Sequence, residues 1–519
     1  MKKFIISFII ITAFSGLWAQ NEFSAVFSEV DINFNPHKTF TSTEAQLYTA
    51  VFEGLVTYHP RTLEPLPAAA RSWEISEDGL TYTFKLRRDL KYSNGDRLTA
   101  EHFRTSWLQL MSPESGSDYG SLLDIVVNGA AYRNGEADAS EVGIVAESES
   151  VLKVTLEHRA PYLLKVLCHH SFSPVHPDFF ESKGTGLIVN GPYRFEEIGD
   201  GRIVFRKNEN YWDEENVEIE QLNIIFNDDP VQNSLDFVRN KTDWLADGFD
   251  LSVLNVDEAI VFNPLFSTTY LFFSNRNKVW SNGNVRKALA LLLPWEKIRS
   301  LQMIPGSTLI PSIPDYPVAE GIKSSDTEQA MALLKQEGYE NGEGLPPVLL
   351  RLPRSESMMQ IGEMIQDSWK EHLNIDVNIL SEPYPYYFSS LKKDDYTIGA
   401  LTWIGDYADP MTFLEMWLQT STLNDAGFSD SGYDEKIRKS SADNRENRYK
   451  LMSEAEKILL DSAQVMPLGH SPALNIIDLR FIDGWYPNVL DIHPFKYLKF
   501  KSDFQIPGVV STGQLYSNT

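Results

Sequence analysis

An α/β chain of several domains is predicted from three observations. The 519 residues are 42% hydrophobic and 23% charged, enough for two to four domains at roughly 100–200 residues each. The first half carries short alternating or apolar runs bounded by turn residues, which read as strands. Past residue 280, candidate strands alternate with amphipathic helices, the spacing of a second α/β lobe. Thirty Gly, 27 Pro and 12% aromatic residues are ordinary globular usage, so collagen-like, coiled-coil and wholly disordered chains are excluded.

In chain order, Lys2 and Lys3 precede an apolar run from Phe4 to Phe14 and a small-residue exit ending at Ala19. This is the pattern of a secretory signal cleaved near Ala19; about 20 apolar residues are needed to span a bilayer, and this run is shorter. No cysteine follows it, so a thioether lipid anchor has no attachment atom and a soluble mature protein is expected. Thr81–Leu86, Val151–Leu156 and Ile203–Phe205 alternate as strands. Thr99 can cap a helix whose Phe103, Trp107, Leu108 and Met111 share one face before Pro113. Helices are predicted at Val285–Leu293, Asp326–Gln336 before Gly338, Met358–His372, Met411–Gln419 and Arg448–Leu460. Strands are predicted between them at Pro347–Leu352, Asp376–Leu380 and Tyr396–Trp403. The segment after Phe500 is polar and reads as a loose extension.

With 46 Lys+Arg against 72 Asp+Glu, the formal charge of −26 repels phosphate backbones, so nucleic acid is not an expected partner. The single Cys168 excludes an intramolecular disulfide framework and Cys-cluster metal sites. Flanked by Leu163, Leu164, Val166 and Leu167, it reads as an apolar filler. His169 and His170 are adjacent and, on a helix or strand, point different ways, a poor metal pair. No Gly-x-Ser-x-Gly elbow, His-Glu-x-x-His helix, phosphate-cradling Gly-x-x-x-x-Gly-Lys loop or dinucleotide fingerprint is present. No catalytic residue, metal or cofactor is therefore assigned, and the chain is read as a non-enzyme. A glycosidase would draw on the many acids and 11 tryptophans, but abundance is not a pair of carboxylates about one bond.

Several blocks, in order and spacing, resemble one family. They are Asn35-Pro36-His37, Val51-Phe52-Glu53-Gly54-Leu55-Val56, Pro67 to Trp73, Asp78 to Phe84, Leu86-Arg87, Gly95-Asp96 and Thr99-Ala100-Glu101. Asn190-Gly191-Pro192-Tyr193, Asn208 with Tyr211-Trp212, Val285 to Leu289, and Gly405-Asp406-Tyr407 with Asp409-Pro410 complete the set. Together they resemble the periplasmic solute-binding proteins of oligopeptide/dipeptide ABC importers, extracellular solute-binding protein family 5. The resemblance spans about the whole mature chain. It implies a two-lobe periplasmic-binding-protein fold of class II type with an additional third domain. Lobe I would comprise residues 20–54, 172–268 and 471–519, the extra domain II residues 55–171, and lobe III residues 269–470. The hinge crossings would lie near Ser267–Phe272 and Gly469–Leu474.

The same resemblance implies a periplasmic, monomeric receptor that closes over short peptides and delivers them to the transmembrane subunits of an ABC permease. By carry-over, Asp406 pairs with the peptide α-amine, a charge-assisted contact suited to a water-poor cleft. Thr402 and Ile404 on one side, and Phe40, Thr41 and Ser42 on the other, would pair with peptide main chain as an added strand does. Trp403, Tyr119 and Tyr384 would wall the cleft, Trp403 by packing beneath the loop. Asp409 reads instead as a structural helix cap before Pro410. Two departures stand out. Ala400 occupies the place where some relatives carry an arginine for the peptide carboxylate, which leaves carboxylate recognition and ligand length open. Pro294-Trp295 replaces a usual Asp-Arg and is expected to alter lobe packing. The alternatives are the same fold holding a non-peptide solute, such as an oligosaccharide or metal chelate, or a surface protein binding a host or matrix partner.

Overall fold

The computed structural model describes residues 21–30, 32–39, 41–179, 186–254, 257–383, 386–393, 395–441 and 445–501. Three sheets organise them. A seven-stranded sheet runs, from one edge, Ile260–Pro264, Pro472–Ile477, Trp244–Leu245, Glu22–Phe27, Gln221–Phe226, Arg202–Lys207 and Tyr193–Gly199. Glu22–Phe27 lies parallel to both its neighbours, and the remaining pairs are antiparallel. Its core gathers Trp244, whose ring meets Phe27, Trp485, His493 and Phe495 at 5.4–6.1 Å. Against this sheet packs the helix Ser42–Val51, started by a capping box between Thr41 and Glu44. Gly191 explains its own motif: a Cβ there would stand 2.4 Å from the Val51 carbonyl carbon. Beside it, the Asn190 amide clamps Glu53, accepting its N–H at 3.2 Å and donating to its carbonyl at 2.6 Å.

A four-stranded antiparallel sheet, in the order Ala70–Ile75, Thr81–Leu86, Val151–Thr155 and Ile144–Ser148, forms the additional domain. The predicted helix runs Ala100–Met111, burying Phe103, Trp107, Leu108 and Met111. Histidine takes the usual Glu place in the cap: His102 Nδ1 accepts the Thr99 N–H at 3.1 Å.

The third sheet has six strands: Ile304–Pro305, Val465–His470, Ser267–Phe273, Ile398–Ile404, Val348–Pro353 and Val377–Glu382. Around it lie the helices Gly283–Leu291, Thr327–Gln336, Glu356–Leu373 and Arg445–Asp461, within three residues of their predicted ends. The predicted helix Met411–Gln419 is cut short. It holds only Met411–Leu414 and a 3₁₀ turn Glu415–Trp417, after which Leu418 is extended. The Tyr433 hydroxyl takes the Leu414 carbonyl at 2.6 Å, a contact that sequence spacing does not show. Trp295 is fully buried; its indole N–H donates to the Ala290 carbonyl and Arg299 lies over its ring.

The chain passes between the seven- and six-stranded sheets twice, from Pro264 to Ser267 and from His470 through Ser471 to Pro472. His470 ties the two passages, its Nδ1 lying 3.0 Å from the Ser267 carbonyl oxygen. No helix among the described residues is long and apolar enough to cross a membrane.

Candidate functional site

The strand Ile398–Ile404 has one edge occupied and the other largely open. On one side it pairs with Ser267–Phe273 along its full length. On the other it meets Val348–Pro353 only at Leu350 opposite Ile398, after which the two strands fork. Backbone parity shows which groups face the fork. Gly405 N–H donates to the Phe266 carbonyl at 2.9 Å, whereas Ala400 turns both its main-chain groups toward the Tyr387 hydroxyl, 2.8 Å from its nitrogen and 2.7 Å from its oxygen. Thr402 and Ile404, two and four residues on, therefore present their N–H and C=O along the same open edge.

The edge runs into a cavity of about 350 Å³ enclosed by all three sheet-based bodies. Thr41, Ser42, Glu53 and Tyr58 line one side; Tyr119, Cys168, His169 and His170 a second; Thr402, Trp403, Ile404 and Asp406 a third. Gly405 lets the chain turn into this wall, since a Cβ there would come 2.8 Å from both Phe266 and Thr412 side chains. The turn is then fixed by the Asp406 N–H donating to Thr412 Oγ1 at 3.0 Å.

The Asp406 carboxylate accepts from the Tyr119 hydroxyl at 3.2 Å, and the Tyr58 hydroxyl reaches its main-chain oxygen at 3.4 Å. No lysine, arginine or histidine among the described residues forms an ion pair with it. Burial therefore pushes its pKa up to about 7, only partly offset by the Tyr119 bond. Behind it, Tyr407 donates to Glu415, whose carboxyl burial pushes up to about 8. Asp409 differs entirely: Arg448 grips it in a fork at 2.6 and 2.9 Å, and it accepts the Met411 N–H at 3.0 Å. It is a structural cap with a buried counter-ion, away from the cavity lining.

The other sequence-derived positions divide. Tyr119 is buried beside the cavity, its ring centroid 4.5 Å from that of His169. Trp403 is half-buried, its indole N–H fastened to the Thr412 carbonyl at 3.1 Å. Thr41 and Ser42 reach the cavity as the start of a helix and not as a strand edge. The Glu44 carboxylate takes the Thr41 N–H, and the Thr41 carbonyl accepts from Ala45 N. Strand-like pairing at Thr41 is thus corrected by its capping box. Phe40 and Tyr384 lie outside the described residues; Phe388 lines the cavity. Ala400 is fully buried in the core with Leu271, Ile398 and Met466, its side chain turned from the cavity.

Several lining residues carried no sequence signal of a site. His169 and His170, expected to diverge, stand with ring centroids 4.1 Å apart because a 3₁₀ turn begins between them. Burial drops His169 to about 3 and His170 well below its usual value, so both are neutral. Among the described residues, no group of three or more His, Cys, Asp or Glu is arranged to hold a metal. Cys168 packs as a filler yet reaches the cavity wall, its thiol 3.4 Å from the Leu164 carbonyl oxygen. Lys496 lies within reach of Tyr211 Oη (2.7 Å), Asp213 (3.2 Å) and Glu53 (3.4 Å), while the Trp212 indole N–H donates to Glu53 at 2.5 Å. Glu53 and Tyr211-Trp212 belong to the motif blocks; Lys496 does not, and only folding joins them.

The additional domain and the six-stranded lobe meet over the cavity. Lys165 Nζ donates to the Ala408 carbonyl at 3.1 Å, Arg133 to the Thr420 carbonyl at 2.9 Å, and Thr422 Oγ1 to the Asp118 carbonyl at 2.7 Å. Lys392 pairs with Asp118, and Tyr162 stacks on Tyr407 at 5.8 Å.

Residues 64–425 match the family model of the bacterial extracellular solute-binding proteins, family 5. The dipeptide-binding protein DppE of Bacillus subtilis (strain 168) is 28% identical over 461 residues, 84% of each chain. A crystal structure of a periplasmic oligopeptide-binding protein, OppAIV of Borrelia burgdorferi, superposes with a TM-score of 0.81 at 27% identity, over 92% of this chain and 100% of that one. The murein tripeptide-binding protein MppA of Escherichia coli, 23% identical, bears on the fold alone. One of its structures superposes at a TM-score of 0.80, covering 92% of this chain and 98% of that one; its unliganded open form gives 0.65, covering 93% and 97%. The lobe arrangement here is thus further from that open form.

Proposed function

The chain belongs to the family 5 bacterial extracellular solute-binding proteins, and on that premise we propose that it is a peptide receptor of an ABC importer. One observation carries the reading: a half-buried carboxylate with no cation among the described residues, Asp406, stands at the end of an open strand edge inside a cavity shared by the lobes. An α-ammonium supplies the missing charge, and the main-chain groups of Ile404 and Thr402 supply hydrogen bonds that ignore side-chain identity. Relatives named for dipeptides and oligopeptides agree with this chemistry. Tyr119 holds the carboxylate in place, and Trp403 supports the loop that bears it. Thr41 and Ser42, at the start of the helix Ser42–Val51, line the cavity from the other side; Phe40 and Tyr384 remain proposed cleft residues.

The lobes of this reading are residues 20–54, 172–268 and 471–519, then 55–171, then 269–470. In support, the seven- and four-stranded sheets draw their strands from the first two sets and the six-stranded sheet from the third, except that Ser267 and Thr268, which open the strand Ser267–Phe273, pair within the six-stranded sheet. Ligand contacts made with both lobes at once favour closure by rotation at the Pro264–Ser267 and His470–Pro472 passages. The receptor is proposed to act without catalysis, as a monomer, in the periplasm after cleavage near Ala19, and to hand its peptide to the permease subunits of the importer.

The test is mass spectrometry of what the purified protein releases on gentle denaturation. Short peptides are the expected finding. A sugar, a metal chelate or another solute in their place overturns the reading.

A further inference from the structure

We infer that the site reads only the amino-terminal end of its peptide, about three residues, and that its described residues provide nothing for the carboxyl terminus. This rests on the peptide-receptor reading above and goes beyond it in stating which peptides are held. Two independent observations carry it.

The first is a stop in the main-chain ladder. With its ammonium at Asp406, a peptide runs antiparallel to the strand Ile398–Ile404, its first residue opposite Ile404 and its third opposite Thr402. The fifth would fall opposite Ala400. There the Tyr387 hydroxyl already occupies both main-chain groups, and it also lies 3.1 Å from the Arg351 carbonyl oxygen. Tyr387 thus fills the apex of the fork between the strands Ile398–Ile404 and Val348–Pro353. The open edge offers two rungs, spaced about 6.7 Å apart, and no third.

The second is the charge of the cavity wall. Among the described residues lining it, the ionisable groups are Asp406, Glu53, Lys496, His169 and His170, with Cys168 and the tyrosines. Lys496 is the lining lysine, and Glu53, Asp213 and Tyr211 already engage its ammonium. Both histidines are neutral, and position 400 is an alanine turned into the core. The described wall thus carries, before ligand enters, one uncompensated negative charge and no uncommitted positive one. A terminal carboxylate drawn inside would be a buried charge with no free cation among the described lining residues to pair with it, so it stays outside or is replaced by further chain.

Isothermal calorimetry on the mature protein, stripped of ligand, tests this with one tripeptide as free acid, C-terminal amide and N-acetyl derivative, and with its tetra-, penta- and hexapeptide extensions. The amide is expected to bind within about fivefold of the acid, or more tightly, as a solvent-exposed charge would allow. Affinity is expected to level off from the third residue onward. A larger loss on amidation, or a steep preference for one length, overturns the inference while leaving peptide binding intact. If none of the free-amine peptides binds, the receptor reading itself fails, a result distinct from either.

Discussion

Replacing Asp406 by Asn isolates the charge from the shape of the site. The Asp406 N–H keeps Thr412 Oγ1 and the carbonyl keeps Tyr58, while Tyr119 can still donate to the amide oxygen, so the loop geometry is retained. What is lost is the pairing with a ligand ammonium. Two unit charges about 4 Å apart attract by about 4 kcal/mol at an effective dielectric of 20, and truncating one partner of a buried pair costs about 2–5 kcal/mol. Peptide affinity should therefore fall by between about thirtyfold and several thousandfold. The ligand-free protein should respond oppositely. Burial raises the Asp406 pKa from 3.8 to about 7, so the folded state binds the proton more tightly than the unfolded chain. Its contribution to stability is fully present below 3.8 and is lost as pH rises through 7. Above pH 7 the ionised group costs the empty receptor up to about 4 kcal/mol, less whatever water in the cavity recovers. Asp406→Asn should thus unfold at a higher temperature than the parent at pH 8, with little difference at pH 4. Calorimetric titration with a tripeptide and thermal melts at the two pH values read both effects. Binding unchanged by the substitution, or lost together with stability at pH 8, refutes this reasoning.

Three further outcomes are expected. Because the empty Asp406 titrates near 7 and must release its proton to meet an ammonium, the dissociation constant should rise about tenfold for each pH unit below 7 and rise again above the α-amine pKa near 8. Calorimetry from pH 5 to 9 checks this, and a flat acid limb contradicts it. Tyr119→Phe removes the hydroxyl bonded to Asp406, so affinity should weaken by about 1 kcal/mol and the acid limb should move to higher pH, both visible in the same titrations. Lys496→Met leaves the buried Glu53 and the half-buried Asp213 without their cation; a loss of about 3–5 kcal/mol should appear in denaturant unfolding, and wild-type stability would show that the network is not structural.

What could be read before folding differs between wall and lining. Strands and helices of the six-stranded lobe follow local periodicity, so Val348–Pro353, Glu356–Leu373 and Thr327–Gln336 lie close to prediction. Asp406, Thr402 and Ile404 reach the cavity from one contiguous stretch, a strand and its turn, so a single local motif holds all three. The rest depends on chain-distant contacts. Lys496 joins Glu53 only across the seven-stranded lobe, 443 residues apart. Tyr387 acquires its place from a hydroxyl reaching two diverging strands, which no spacing rule records. At Thr41 two local patterns compete: an extended stretch suited to peptide pairing and a Thr-x-x-Glu capping box. The box prevails because it satisfies two N–H groups at once, the Thr41 hydroxyl accepting from Glu44 N and the Glu44 carboxylate accepting from Thr41 N. The Met411 helix ends at Leu414, whose carbonyl accepts from the Tyr433 hydroxyl, a residue beyond its own periodicity.

The amine contact at Asp406 is tested most directly by comparing one peptide with its N-acetylated form in calorimetric titrations at pH 7. Loss of the ammonium, with every main-chain group facing Ile404 and Thr402 retained, should weaken binding by at least about thirtyfold. Equal affinity for the two would show that the Asp406 carboxylate holds something other than a peptide amine.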